Sequence, residues 1–172
     1  MTDFLDLAKR RFSTRRYLEK KVEQEKLDVI LEAGRVAPTT ENGQPQRILV
    51  VQDEQGLIAL ESGGNPYRAP LVLVVCADIA DSFHDPETNR DSYEVDATIV
   101  TTHMMLAATD QGLGSIWVGQ FDREGVRRSF NLPEEWTIVC MLLIGYADSE
   151  SDVNRHRTTR RPLAETVFYG SF

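Results

Sequence analysis

Cysteine is nearly absent: Cys76 and Cys140 are the only two in 172 residues. Each sits inside an apolar run, Leu71 to Ala77 and Thr137 to Ile144, so both read as buried strand residues. A disulfide or a C-x-x-C redox pair is thereby excluded. Histidine is as sparse, and His84, His103 and His156 are too scattered to suggest a metal site. Three histidines with abundant Ser and Asp permit a hydrolytic triad on paper, but no local signature supports one. No apolar run is long enough to cross a membrane, and Met1 to Asp6 lacks the basic and apolar regions of a signal peptide, so a cytoplasmic location is expected. Also missing are a G-x-S-x-G elbow, a G-x-x-x-x-G-K-S/T phosphate loop and a G-x-G-x-x-G turn between a strand and a helix. Gly112-Leu113-Gly114 closes a helix and opens a strand, the reverse of what a dinucleotide fingerprint requires. An excess of positive charge is lacking as well. The net charge of −8 argues against non-specific nucleic-acid binding, which depends on surplus Lys and Arg, but leaves a small anionic ligand open.

What the chain does have is a segregated set of cations. Of its 19 Lys and Arg, 11 lie in two short segments: Lys9, Arg10, Arg11, Arg15, Arg16, Lys20 and Lys21, then Arg155, Arg157, Arg160 and Arg161. Between them, Val22 to Asn154 carries 8 basic against 23 acidic residues, a formal charge of −15. Arg offers a planar fork of donors matched to phosphate oxygens, so two Arg-rich segments brought together by folding would make a phosphate pocket. The alternative is that terminal charges are simply solvated.

With 172 residues, 41% hydrophobic and 27% charged, the chain fits one globular domain, 1–172. Helical spacing covers Asp3 to Arg11 and Glu23 to Val36, the latter with Leu27, Ile30, Leu31 and Gly34 on one face and a stop at Ala37-Pro38. A polar loop, Thr39 to Pro45, leads to a strand at Arg47 to Val51 and a short helix at Glu54 to Leu60. Ser62 to Pro66 reads as a loop and Leu71 to Cys76 as a buried strand. Asp78 to Arg90 reads as a surface loop, and Asp91 to Gln111 as the longest helix, closed by Gly112. Its apolar residues surround most of its circumference, as in a helix that is central or covered by a second subunit. A strand at Gly114 to Gly119, a helix capped by Asp122 and a last core strand at Trp136 to Gly145 follow. In the tail, Val167-Phe168-Tyr169 turns apolar again, suggesting docking, for instance on a partner subunit.

Four segments together resemble the nitroreductase family of flavin enzymes in its short form. Arg11-Phe12-Ser13-Thr14-Arg15-Arg16-Tyr17 resembles the family's R-x-S-x-R/K-x-F/Y element, and Ala37 to Pro45 its A-P-S/T-x-x-N-x-Q-P loop. Ala107 to Ser115 is similar to its A-A-x-x-x-G-L-G-S junction, and Arg160-Arg161-Pro162-Leu163 with Val167 to its R-x-P-L-x-x-x-V ending. They occur in the family's order and cover nearly the whole chain.

The resemblance implies an α+β fold with a central, mostly antiparallel sheet flanked by helices, and an intertwined homodimer with FMN at the subunit interface. Arg11, Ser13 and Arg160 would hold the phosphate and ribityl chain, Phe12 would be a further cofactor-binding residue, and Arg15 would approach the pyrimidine side, where a cation raises the flavin's reduction potential. Pro38, Thr39, Thr40, Asn42 and Gln44 would come from the other subunit. Trp117, Val118 and Gly119 would pass along the ring, with the Gly119 N–H near flavin N5. Simpler readings exist: Arg10 and Arg16 as solvent-facing charges, Trp117 as a core aromatic, Pro38 and Pro45 as loop formers.

The chain departs from the family pattern at Thr158, where many members have Lys, a loss that Arg155, Arg157 or Arg161 would compensate. Gln46 stands where an aromatic is common. Only Ser62 to Arg68 and Asp78 to Arg90 are available as lids, with Asn65 and Arg68 as candidates near the flavin or substrate. The expected activity is hydride transfer from NADH or NADPH through flavin N5 to an electron-poor acceptor such as a nitroaromatic, quinone or enone. The flavin carries that chemistry, so no catalytic side chain and no metal are expected. One alternative is a flavin-binding or flavin-processing protein of the same fold without reductase activity. Another is a non-enzymatic polyanion-binding module.

Overall fold

The computed structural model describes residues 3–61, 63–151, 156 and 159–170. Its six strands are β1 (Gln46–Val51), β2 (Leu71–Asp78), β3 (His84–Asp85), β4 (Arg90–Asp91), β5 (Gly114–Val118) and β6 (Trp136–Gly145). The helices are α1 (Phe4–Arg10), α2 (Gln24–Arg35), α3 (Glu54–Glu61), α4 (Tyr93–Asp110) and α5 (Arg123–Phe130). The four long strands form one antiparallel sheet in the order β1-β2-β6-β5. This is the α+β arrangement expected from the resemblance.

Both faces of the sheet are covered, which explains why β2 is an unbroken apolar run. Leu71, Leu73, Val75 and Ala77 face α2 and α4, joining Leu27, Ile30, Ala97, Val100, Met104 and Ala108. The alternate residues Val72, Val74 and Cys76 face the other way and pack with Leu60 of α3 and Val126 of α5. Each such fully buried Leu, Val or Ile is worth roughly 1.5–3 kcal/mol of transfer free energy. The helices α2 and α4 come close at Gly34, where a Cβ would lie 2.9 Å from both Cγ and Sδ of Met104.

One irregularity matters below. Val75 pairs with Cys140 but Cys76 pairs with Ile138, so Val139 is an extra residue in β6. Val139 and Cys140 therefore face the same cluster.

The segment Asp78 to Arg90 is not the featureless loop expected. β2 continues to Asp78, a 3-10 turn spans Ile79–Asp81, and β3 and β4 form a small hairpin. Asp85 stabilises that hairpin's turn by accepting from Glu87 N at 2.9 Å and Thr88 Oγ1 at 2.6 Å. Strands of two residues have no periodicity to detect. α4 accordingly begins at Tyr93 rather than Asp91, and β5 stops at Val118 rather than Gly119.

The all-round apolar character of α4 is explained on one side only. Ala97, Val100, Met104 and Ala108 are buried in the core, while Val95, Thr98, Thr102 and His103 on the other side are exposed, Val95 by 60%. In the tail Leu163, Val167, Phe168 and Tyr169 are also exposed. Among the described residues no helix is long and apolar enough to cross a membrane.

Candidate functional site

The N-terminal Arg-Phe-Ser-Thr-Arg segment lies along the outer edge of β5. Ser13 pairs with Ser115 in a parallel bridge, and Thr14 N donates to Ser115 O at 3.0 Å. Gly114 is what lets the two chains approach, because a Cβ there would collide with the Thr14 side chain. Tyr17 locks the segment from below, its hydroxyl shared between Thr14 O at 2.9 Å and Leu143 O at 3.3 Å. Burial holds the Tyr17 phenol far above its usual pKa, so it stays a neutral donor; the nearby Arg15 offsets this only in part. Thr14 Oγ1 and Ser115 Oγ are buried with no hydrogen-bond partner among the described residues. Two motifs that are about a hundred residues apart in sequence thus form one surface.

Arg11, with Arg10, Phe12, Gly112, Leu113 and Gly114, lines a recess of about 170 Å³ on this edge. Burial and, second, the charge of Arg160 lower the Arg11 pKa, so the C-terminal cation acts on the N-terminal one. Among the described residues no carboxylate forms an ion pair with either. Two unneutralised guanidinium groups that feel each other's charge, one partly desolvated, suit a phosphate. Arg15 is half-buried and donates to Ser13 O at 3.3 Å. Arg16 instead points to Glu150 and is exposed, as the simpler reading had it. Arg155, Arg157 and Thr158 lie outside the described residues, as does Ser62.

Further along β5, Trp117 is 41% exposed and is not a core aromatic. Its ring covers Gly119, where a Cβ would meet Trp117 Cζ3 at 2.6 Å. Beneath it lies Cys140, whose thiol pKa is pushed up to about 11 by burial, with contacts to Thr101 and Trp117 opposing. Burial likewise raises the Cys76 thiol to about 11. Arg123, unremarked in the sequence, donates from Nη2 to Gly119 O at 3.0 Å and Val139 O at 3.1 Å, and from Nε to Ile138 O at 3.0 Å.

The loop holding Pro38, Thr39, Thr40, Asn42 and Gln44 is strained and pinned by hydrogen bonds. Glu41, Asn42 and Gln44 all have positive φ, at 52°, 59° and 52°. The fully buried Asp96 holds it, accepting from Thr40 N at 2.8 Å and Thr40 Oγ1 at 2.9 Å on one oxygen and from Ser92 Oγ at 2.6 Å on the other. Thr39 Oγ1 accepts from Gln44 N at 3.1 Å. Pro38, Asn42 and Gln44 are exposed, and Pro45 is buried. Asp96 was not singled out from the sequence; a polar residue in the first turn of α4 with Ser92 four residues before it was the available signal.

Asn65 folds onto its own turn, accepting from Tyr67 N at 2.8 Å. Arg68 is exposed and lies in a separate cleft of about 670 Å³ with Lys20 and Lys21.

Within one protomer the candidate residues form two groups. The basic segment and Trp117 to Gly119 lie on the β5 edge, whereas the 38–44 loop leads into β1 on the opposite edge. With β2 and β6 between them, the edges are roughly 14 Å apart at about 4.8 Å per strand.

Residues 8–62 and 58–146 match the model of the Nitroreductase family. The fold is similar to the crystal structure of a nitroreductase family protein from Clostridium difficile 630, with a TM-score of 0.95 and 41% identity over 99% of this chain and 100% of that one. It is also similar to an FMN-dependent nitroreductase from Clostridium difficile R20291, with a TM-score of 0.80 and 27% identity over 98% of this chain and 99% of that one. In sequence it is 34% identical over 124 residues to FMN reductase (NAD(P)H) of Bacillus subtilis, covering 62% of this chain and 50% of that protein.

Proposed function

Because the chain belongs to the Nitroreductase family, we propose that it is an FMN-dependent NAD(P)H oxidoreductase working as a homodimer, with FMN between the β5 edge of one subunit and the 38–44 loop of the other. When bound, FMN supplies hydride chemistry at N5, accepting from NADH or NADPH and delivering to an electron-poor acceptor such as a nitroaromatic, quinone or enone. The protein's own groups bind and orient it. Arg11 and Arg160 provide charge-assisted bonds for the phosphate, with Phe12 and Ser13 beside them. Arg15 supplies a cation for the pyrimidine side, and Trp117, Val118 and Gly119 shape the wall along the ring. Pro38, Thr39, Thr40, Asn42 and Gln44 of the second subunit close the site.

The observation that carries this reading is the separation of the two groups on opposite edges of one sheet. A two-fold axis that buries the uncharged outer face of α4 would bring one subunit's loop to the other's basic edge. It would also explain why that face and the apolar tail are uncovered in a single chain.

The test is the visible spectrum of the purified protein, identification of any flavin released on denaturation, and steady-state oxidation of NADH and NADPH with a panel of nitroaromatics and quinones. About one FMN per subunit and acceptor-dependent turnover support the proposal. Bound FMN without turnover would leave a flavin-binding or flavin-processing role, and no FMN would reject the site.

A further inference from the structure

We infer that Arg123 is a positioning residue for the redox end of the site: its guanidinium fixes the Gly119 backbone that borders the flavin N5 edge. The inference rests on the proposed placement of FMN along Trp117 to Gly119. It is otherwise an argument from the sheet itself. The last pair of the β5–β6 ladder is Val118 with Met141, after which β5 leaves β6. The β6 carbonyls of Ile138 and Val139, at the bulge, would then lack partners on that side. Arg123 supplies them, with Nε on Ile138 O at 3.0 Å and Nη2 on Val139 O at 3.1 Å. The same Nη2 holds Gly119 O at 3.0 Å. Gly119, the first residue beyond the ladder, is thus held by Arg123.

Helix stability does not account for this residue. Arg123 is the first residue of α5, where a cation opposes the helix dipole. Nor does an ion pair: Glu124, its acidic neighbour, pairs with Arg127. It also lies against the Phe121 ring, 4.9 Å from the guanidinium carbon. The segment is anchored again one residue further on, where Asp122 N donates to Gly63 O at 2.7 Å. A cation whose hydrogen bonds, among the described residues, go to neutral carbonyls next to the reacting edge both aims the backbone and favours negative charge there.

Two variants separate these effects. Arg123→Lys keeps the charge but cannot span three carbonyls, whereas Arg123→Gln removes the charge. Wild type and both variants are compared for bound FMN, thermal midpoint, flavin absorption spectrum, midpoint potential and the single-turnover rate of flavin bleaching by NADH. Both variants should retain FMN and show an altered absorption band. Bleaching should slow by about 10- to 100-fold, as expected for a small misplacement of a positioning group. The potential should fall in Arg123→Gln and move less in Arg123→Lys. A variant that carries FMN and keeps the wild-type spectrum, potential and rate overturns the inference; should Arg123→Gln not fold, Arg123→Lys alone decides it by spectrum and rate. Wild-type protein that takes up no FMN would instead reject the placement of the cofactor.

Discussion

Arg11 and Arg160 come from opposite ends of the chain, and the charge of Arg160 is felt at Arg11, where it adds to burial in lowering the pKa. Like charges held together in a folded protein imply a ligand of opposite charge. Arg11→Ala and Arg160→Ala should each weaken FMN binding by about 10- to 100-fold, the range for a charge-assisted hydrogen bond. Neither should lower the stability of the flavin-free protein much, since each relieves a repulsion. Flavin-fluorescence titration and urea unfolding check the two halves; unchanged affinity in both variants would remove the phosphate role.

Asp96 is buried and satisfied by Thr40 and Ser92. Asp96→Ala leaves the Thr40 N–H and the Ser92 hydroxyl without their partner and should cost about 1–3 kcal/mol in urea unfolding. The Thr40 amide should also exchange with solvent faster. Normal exchange at Thr40 would show that the loop is held by other means.

The outer face of α4 carries no charge through Val95, Thr98, Ile99, Thr102 and Leu106. Thr102→Arg puts a cation in its middle. Wild type should sediment as two 19.5 kDa chains, and the variant should shift towards one chain and lose FMN with it. A dimeric Thr102→Arg protein with full FMN would place the interface elsewhere.

Acid stability should report on Glu23. Its carboxyl pKa is held down to about 2, first by the Tyr146 hydroxyl, then by its own backbone N–H and by Lys20. A carboxylate with a depressed folded pKa binds fewer protons in the folded than in the unfolded state. Its contribution is therefore complete above its ordinary value of 4.5 and is lost as pH falls towards 2. Tyr146→Phe removes the leading cause. The wild-type urea midpoint should fall more steeply than that of the variant across this window, and parallel curves would contradict the assignment.

Gly114→Ala should be destabilising because the new methyl meets Thr14, which is fully buried and cannot swing aside. A loss of about 1–3 kcal/mol is expected for overpacking. Thr14→Ala in the same chain should recover part of it, since one colliding atom remains.

The sheet and its helices were largely legible because their periods are long enough to register. β2 and α2 are read from spacing alone, and Pro38 and Gly112 mark helix ends. The β3–β4 hairpin was not, since two residues cannot alternate meaningfully. At the site, the cation-rich segments announced themselves by charge. Asp96 and Arg123 did not, because their importance lies in partners distant in sequence or irregular in the ladder: Thr40 in one case, the β6 bulge in the other. Trp117 could be read either way until its exposure was seen.

The two buried thiols bear on what an electrophilic acceptor of the proposed kind would meet in this protein. Quinones and enones, proposed above as acceptors, are electrophiles that alkylate thiolates, and an enzyme that took them in repeatedly would risk inactivating itself. With pKa values raised to about 11, Cys76 and Cys140 are ionised in only about one molecule in ten thousand at neutral pH. Trp117 stands over the nearer of the two. The desolvation that packs the core would then also provide chemical self-protection, leaving such an acceptor no ready thiolate to alkylate.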